Sequence, residues 1–185
     1  MKKHLDRLLI RKHRGCYLKY LSLIHQIEIN SIVEIGVFRG KNAAVLREEF
    51  PDARLYLIDP WAPSPTYLDS GSAVSESQET YDNARARVES LFKNDSKVTL
   101  IKKLAADAAP EIPNTIDLVF IDANHEYNQV KQDILTWKEK VRSGGILSGH
   151  NYGRNRLPGV KKAVDEIFGE DFLLGQDEVW LHIKK

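Results

Sequence analysis

The sequence contains only one cysteine and no long apolar run. Because Cys16 stands alone, the chain cannot form an intramolecular disulfide. The start MKKHLDRLLI lacks the uninterrupted apolar segment of a secretion signal. No apolar run approaches the roughly 18 residues that a membrane-spanning helix needs. We therefore predict a cytoplasmic protein without a membrane span.

A large net charge is also missing, since 27 basic and 26 acidic residues give a formal charge of +1. Residues 2–14 are rich in Lys and Arg, and we interpret them as an amphipathic capping helix with a solvated basic face. Aromatic residues do not alternate with the basic ones there, as single-strand binding would favour. We therefore predict no nucleic-acid partner.

The length and apolar content indicate one domain. With 185 residues, 42% of them hydrophobic, the chain can bury one core but is too short for two ordinary domains. We assign residues 1–30 to an N-terminal helical cap and residues 31–185 to the domain itself. Residues 60–77 are rich in Pro, Ser and Gly and too long for a routine connection, which predicts a lid or a mobile loop.

Short β-rich runs alternate with helical periodicity from residue 31 to about residue 168. The strand candidates are SIVEIG, ARLYLID, KVTLI, IDLVFID and GGILSG. The helical stripes are Tyr81, Ala84, Val88 and Leu91, and then Tyr127, Val130, Ile134, Trp137 and Val141. This alternation predicts an α/β fold with a doubly wound, mostly parallel sheet. The tail FLLGQDEVWLHIK predicts two strands joined by a turn, hence an antiparallel hairpin at one sheet edge.

The stretch VEIGVFRGKN, residues 33–42, ends the first strand candidate in a glycine loop. A phosphate-binding loop would read GxxxxGK[ST], but this loop is one residue short and has Asn42 in place of the hydroxyl. A dinucleotide fingerprint would read GxGxxG, and Phe38 stands where its second glycine belongs. The loop therefore does not match the sequence pattern of a pyrophosphate-binding loop.

A ribose site without pyrophosphate is the remaining interpretation. Asp59 ends the second strand candidate, where its carboxylate can accept hydrogen bonds from both ribose hydroxyls. The amides of Gly36 and Gly40 and the acid Glu34 suit the amino-acid end of S-adenosylmethionine. The alternative is that the two glycines only permit a tight strand-to-helix turn and that Asp59 is a turn residue.

Five ordered motifs carry a family resemblance over roughly residues 31–168. They are VEIGVFRGKNAAVL, LIDPW, DLVFIDANHEYNQVKQDILTW, SGGILSGHNYG and LPGVKKAVDEIFG. In this order they resemble the class I S-adenosylmethionine-dependent methyltransferases, most closely small O-methyltransferases of the catechol and macrolide-sugar type. The resemblance implies a seven-stranded Rossmann-like sheet with an antiparallel last strand. It also implies that Glu34, Gly36 and Gly40 face the methionine moiety, Asp59 the ribose and Ala105 the adenine.

The same resemblance puts the chemistry at the fourth and fifth strand ends. Asp122 and His125 follow the fourth strand, and His150 and Asn151 follow the fifth. If the two strands are neighbours, both clusters converge beside the cofactor. Methyl transfer to a hydroxyl needs a base for the hydroxyl proton, and we predict His125 as that base, with His150 as its rival.

A divalent metal is a further implication of the resemblance. Metal-dependent relatives have acids at the Asp122 position and in place of the His150-Asn151 pair. The implied ligands are thus Asp122, His150 and Asn151, holding magnesium or manganese. His150 departs from the pattern, weakens the attraction for magnesium and shifts the preference toward zinc, iron or manganese. The alternative is that Asp122 and Asn124 cap the following helix and that His150 is a satisfied strand-end histidine.

The sequence thus favours O-methylation of a small hydroxylated molecule, with S-adenosylmethionine as cofactor. A nicotinamide-dependent oxidoreductase or epimerase is the first alternative, although Phe38 argues against it. A noncatalytic cofactor-binding module is the second alternative, because His150 replaces an expected acid. The identity of the methyl acceptor and the formation of a homodimer are left open.

Overall fold

Strands and helices alternate along the chain, which a computed structural model describes for residues 13–63 and 76–185. The strands are β1 (Ser31–Ile35), β2 (Arg54–Ile58), β3 (Val98–Ile101), β4 (Ile116–Ile121), β5 (Val141–Gly149), β6 (Leu173–Leu174) and β7 (Trp180–Ile183). The helices are α1 (Arg14–Ile24), α2 (Lys41–Glu49), α3 (Gln78–Phe92), α4 (Ala105–Ala108), α5 (Tyr127–Lys140) and α6 (Pro158–Phe168). A 3₁₀ turn at Ala109–Glu111 continues α4.

The seven strands form one sheet in the order β3-β2-β1-β4-β5-β7-β6. The strands β1 to β5 are parallel to their neighbours in that group. The strand β7 is antiparallel to both β5 and β6, so the C-terminal hairpin closes one edge. The predicted fold, including the antiparallel hairpin, is confirmed.

Helices cover both faces of this sheet, and the central strand β4 is buried at every position. Leu118 and Phe120 pack on one face with residues of α1, α2 and α3. Val119 and Ile121 pack on the other face with residues of α5 and α6. The near-continuous apolar run of β4 is what burial on both faces requires.

Two residues of the predicted helical stripes differ from the prediction, one in its exposure and the other in its secondary structure. Leu91 in α3 is 48% exposed, and Phe92 is buried in its place. Four residues after Val88 complete a helical turn more closely than three, and that position is Phe92. Val141 is not in α5 but begins β5 directly after Lys140, although it is buried as predicted.

Two predictions fall largely outside the described residues. The basic helix predicted over residues 2–14 overlaps them only at its end, and residues 64–75 of the predicted loop lie outside them. Within the predicted cap, α1 packs against the sheet through Leu18 and Leu21, which join the core that contains Ile32. In the described ranges, no helix has the length and apolar character to cross a membrane.

Candidate functional site

The candidate site lies where the carboxyl ends of β1 and β4 meet. Strand order reverses between these two strands, and open parallel sheets bind ligands at such a point. Backbone hydrogen bonds join the loops there: Gly36 N donates to Ile58 O at 2.9 Å, and Asp122 N donates to Ile35 O at 2.8 Å. The glycine loop and the Asp122 segment therefore form the two walls of one crevice.

Gly36 is fixed as glycine by both conformation and space. Its φ of 86° lies in the left-handed region, and a Cβ at this position would be 2.1 Å from the carbonyl oxygen of Asp122. Gly40, with a φ of 72°, is the N-cap of α2. The glycines thus do make a tight strand-to-helix turn, and this turn also brings the backbone against the end of β4.

Glu34 lies at the base of the crevice and is 1% exposed. Asn42 Nδ2 donates to Glu34 Oε1 at 3.1 Å. Glu34 Oε2 and Asn42 Oδ1 are buried without a hydrogen-bond partner among the described residues. Burial raises the pKa of Glu34 to about 8, although the Asn42 hydrogen bond and the charge of Arg14 oppose it. The glutamate therefore carries a proton near neutral pH and has one oxygen ready for a donor.

This raised pKa gives a stability prediction for Glu34→Gln. Between the ordinary pKa of 4.5 and about 8, the folded protein holds the Glu34 proton more tightly than the unfolded chain. That contribution to stability is therefore lost as the pH rises through this window, and glutamine removes the loss. We expect Glu34→Gln to melt about 3–8 °C above wild type at pH 8 and near wild type at pH 5. Thermal denaturation of both proteins at the two pH values measures the difference, and equal melting at pH 8 would contradict the buried-acid account.

Asp59 shapes the glycine loop through backbone hydrogen bonds. Its Oδ2 accepts from Val37 N at 2.9 Å and from Phe38 N at 2.8 Å, and its Oδ1 accepts from Trp61 N at 2.7 Å. Burial raises the pKa of Asp59, whereas the three amides oppose the rise. A carboxylate has about four acceptor positions, so one remains for a ligand hydroxyl. Asp59 thus has a structural role that the sequence did not reveal, and its ribose role stays a prediction.

Ala105 lies at the same edge of the sheet. It begins α4 after β3, and β3 pairs with β2, whose end leads to Asp59. Asp59 N donates to Ile101 O at 3.2 Å, which links the two strand ends. Asp59 and Ala105 therefore follow adjacent strands, so a ribose beside Asp59 would have its base near Ala105.

The second cluster joins the ends of β4 and β5, which are neighbours as predicted. His125 Nε2 is 3.5 Å from Asp122 Oδ1, and His150 Nδ1 is 3.4 Å from the same oxygen. Asn151, with a left-handed φ of 64°, lies beside them. The four predicted residues are thus brought together around one carboxylate. Asn124 accepts a hydrogen bond from Glu126 N at 2.8 Å and so stabilises the start of α5.

The amide of Asn151 connects the cluster to the chain around it. Its inward-facing atom is 2.8 Å from His125 Nε2 and 3.1 Å from Asp122 Oδ1. We assign this atom as nitrogen, because an oxygen there would face the carboxylate oxygen of Asp122. The amide oxygen then accepts from Arg154 Nη1 at 3.0 Å.

The two histidines differ in what their ring nitrogens contact. His125 Nε2 faces inward to Asn151 and Asp122. His150 Nδ1 lies 3.4 Å from Asp122 Oδ1 and 2.9 Å from the amide nitrogen of Asn151. Its Nε2 is buried, has no hydrogen-bond partner among the described residues and is 3.8 Å from Asp177 Oδ1. The tautomer with its proton on Nδ1, facing Asp122, leaves the lone pair of Nε2 free and can act as a general base.

Asp122 carries a negative charge in this cluster. Burial alone would raise the pKa of Asp122, but the hydrogen bonds of His125 and His150 and the charge of Arg14 outweigh burial. Together they hold the pKa of that carboxyl well below its ordinary value. The charge is balanced in part by Arg14, whose Nη2 is 3.2 Å from Asp122 Oδ2.

A divalent metal does not fit beside Asp122 in this arrangement. Arg14 already contacts one carboxylate oxygen, and the two histidines face the other. Two unit charges 4 Å apart interact by about 4 kcal/mol at an effective dielectric constant of 20, so a metal here would be strongly repelled by Arg14. Across residues 13–63 and 76–185, no group of three or more His, Cys, Asp or Glu side chains is arranged to hold a metal ion.

The sequence analysis did not identify three residues of the site. Arg14 and Asp177 come from opposite ends of the chain and meet only in the fold, with Nη1 and Oδ2 3.3 Å apart. No local pattern could have paired them. Asn42 was noted only as a departure from a phosphate-binding loop, although a polar residue in the first turn of α2 was a usable signal.

Comparison with known proteins finds similarity to one family and to a viral relative. The methyltransferase domain family matches residues 33–152, more than half of the chain. An uncharacterized protein of Acanthamoeba polyphaga mimivirus, R132, is 28% identical over 145 residues. The match covers 73% of this chain and 59% of that relative, so the chain spans less than two thirds of the relative's length.

Solved structures share the fold at low identity. A methyltransferase of Podospora anserina, PaMTH1, bound to S-adenosylhomocysteine, has a TM-score of 0.65 at 17% identity, covering 99% of this chain and 86% of that chain. An O-methyltransferase from Bacillus cereus, in complex with S-adenosylhomocysteine, has a TM-score of 0.62 at 19% identity, covering 99% of this chain and 90% of that chain. At sequence identities this low, the similarity establishes only that the fold is shared.

Proposed function

Because the chain belongs to the methyltransferase domain family, we propose that it transfers a methyl group from S-adenosylmethionine to a hydroxyl oxygen of a small molecule. One observation carries the proposal: buried polar atoms without partners occur on both walls of the crevice at the strand-order reversal. They are Glu34 Oε2 and Asn42 Oδ1 near the glycine loop, and His150 Nε2 at the end of β5. Unpartnered buried polar atoms are few in native proteins, and a bound ligand or an ordered water satisfies them.

The residues near the glycine loop fit this cofactor. Glu34 Oε2 can accept from an ammonium group, and the spare acceptor position of Asp59 suits a ribose hydroxyl. Ala105 follows the adjacent strand, where the adenine would lie. When bound, S-adenosylmethionine supplies a methyl group on a positively charged sulfur. The family assignment also removes the nicotinamide-dependent alternative.

Hydroxyl oxygen is the favoured acceptor because the site offers a base. An amine has a usable lone pair without losing a proton, whereas an alcohol becomes a good nucleophile only as its proton leaves. We assign that proton to His150 Nε2, which has no hydrogen-bond partner among the described residues, while Asp122 orients the ring and stabilises its positive charge. His125, the base predicted from sequence, has its Nε2 turned toward Asn151 and supports the cluster instead.

The proposed reaction contains no metal step, because Arg14 already contacts Asp122 and balances part of its charge. A small-molecule methyl acceptor is the partner that this site requires. A cytoplasmic location stays a prediction from the sequence, which leaves the formation of a homodimer open.

Calorimetric titration of the purified chain tests the proposal. S-adenosylmethionine and S-adenosylhomocysteine are each expected to bind one per chain, and NAD is expected not to bind. Glu34→Gln serves as the matched variant: it preserves shape but, unlike the glutamic acid, has no proton to release when the ligand ammonium binds, so it should bind S-adenosylmethionine about tenfold more weakly. Binding of NAD in preference to either adenosyl ligand would refute the assignment.

A further inference from the structure

The side chain of Arg14 joins the first helix to the reaction end of the sheet. Its Nη2 is 3.2 Å from Asp122 Oδ2, and its Nη1 is 3.3 Å from Asp177 Oδ2. Asp177 lies in the turn between β6 and β7, so one guanidinium bridges two carboxylates that are far apart in the chain. The arginine side chain is only 21% exposed, and its guanidinium carbon is 6.0 Å from the Phe120 ring.

The groups around Arg14 are those that commonly attract a metal cation. Asp122, Asp177 and His150 are of the residue types that bind manganese and zinc, although as placed around Arg14 these three described residues do not form a metal site. His150 lies between the two acids, 3.4 Å from Asp122 Oδ1 and 3.8 Å from Asp177 Oδ1. In this structure, however, the cation that contacts the two acids is the guanidinium of Arg14.

One hydrogen-bond donor of Arg14 is unused. Its Nε is buried and has no partner among the described residues, although both Nη atoms contact acids. A buried N–H of a guanidinium is costly to leave unsatisfied, so this donor is suited to an oxygen atom of a bound ligand. Guanidinium groups bind such oxygens through a rigid planar set of donors.

We propose that Arg14 is the resident cation of the methyl-transfer site and takes the place of a divalent metal. This inference rests on the proposed function. Arg14 Nε–H donates to an oxygen of the acceptor and holds its hydroxyl near His150. The hydroxyl proton then passes to His150 Nε2, and the acceptor oxygen forms a bond to the methyl carbon. The bond between that carbon and sulfur breaks, and its electron pair stays on sulfur as a neutral thioether. Arg14 is unchanged.

Manganese binding to the full chain tests this inference independently of turnover. Electron paramagnetic resonance of free Mn²⁺ is measured for wild type, Arg14→Met and the charge-preserving control Arg14→Lys. Removing the guanidinium exposes the acids, so Arg14→Met is expected to bind Mn²⁺ at least about tenfold more tightly than wild type or Arg14→Lys. Equal Mn²⁺ affinity in wild type and Arg14→Met, or no Mn²⁺ binding in any of the three, would overturn the inference.

A second comparison keeps the test decisive if Arg14→Met does not fold. Wild type and Asp122→Asn are expected to show the same weak Mn²⁺ binding, because Arg14 already occupies the acid. Tight one-to-one Mn²⁺ binding by wild type that Asp122→Asn abolishes would establish a metal site and refute the resident cation. Calorimetry with S-adenosylmethionine on the same samples separates the proposed function from the inference about Arg14. If wild type does not bind S-adenosylmethionine, the proposed function is refuted, whereas the Mn²⁺ result still stands.

Discussion

Replacing His150 with alanine is expected to lower the rate of methyl transfer by about 10² to 10⁴, the usual cost of losing a general base. Cofactor affinity should stay within about twofold, because the base acts on the acceptor. The reason is geometric: Asp122 holds Nδ1 of the ring, and Nε2 is buried without a partner. The measurement is the rate of S-adenosylhomocysteine formation with an acceptor found by screening wild type against hydroxylated sugars and phenols.

His125→Ala is the matched control, because it removes the other imidazole ring that lies near the Asp122 carboxylate. Its Nε2 contacts Asn151 at 2.8 Å, so its loss should loosen the cluster and lower the rate by about tenfold or less. A His125→Ala variant that is inactive beside a fully active His150→Ala would reverse the assignment of the two histidines.

Asp59→Ala is expected to lower both stability and cofactor affinity. Three buried backbone amides would lose a charged acceptor, and hydrogen bonds to charged groups are worth about 1.5–3 kcal/mol each. We expect the free energy of unfolding to fall by about 2–5 kcal/mol and the affinity for S-adenosylmethionine to fall about 100-fold. The affinity falls because Val37 and Phe38 belong to the loop that faces the cofactor.

Urea denaturation and calorimetric titration measure the two effects separately. Asp59→Asn is the control, since its single amide oxygen can still accept from Val37 and Phe38 while the contact to Trp61 N is lost. It should therefore lose less stability than Asp59→Ala. If Asp59→Ala were as stable as wild type, the carboxylate would not be shaping the loop.

The central architecture could be predicted because its signals are local. The strands follow from short apolar runs, and the antiparallel hairpin follows from two such runs separated by a turn. The convergence of Asp122 and His150 could also be predicted, because parallel neighbours end at the same edge of a sheet. The predicted stripe continued from Val88 to Leu91, whereas the buried residue at that turn is Phe92, because spacings of three and four residues both fit a helix and packing selects between them.

The electrostatics of the site could not be predicted, because they depend on distant residues. Arg14 meets Asp122 and Asp177 only after α1 has packed against the sheet. The sequence therefore suggested a metal beside Asp122, where the structure places the guanidinium of Arg14. The choice between His125 and His150 likewise depends on which ring nitrogen faces Asp122, and chain spacing does not encode that.

The most direct test of the account is a crystal structure of the chain with S-adenosylhomocysteine. The account predicts the ligand ammonium within hydrogen-bond distance of Glu34 Oε2, the ribose against Asp59 and the adenine beside Ala105. The sulfur should then point toward Asp122 and His150. A ligand bound elsewhere on the chain, or bound in this crevice with its sulfur turned away from His150, would contradict it.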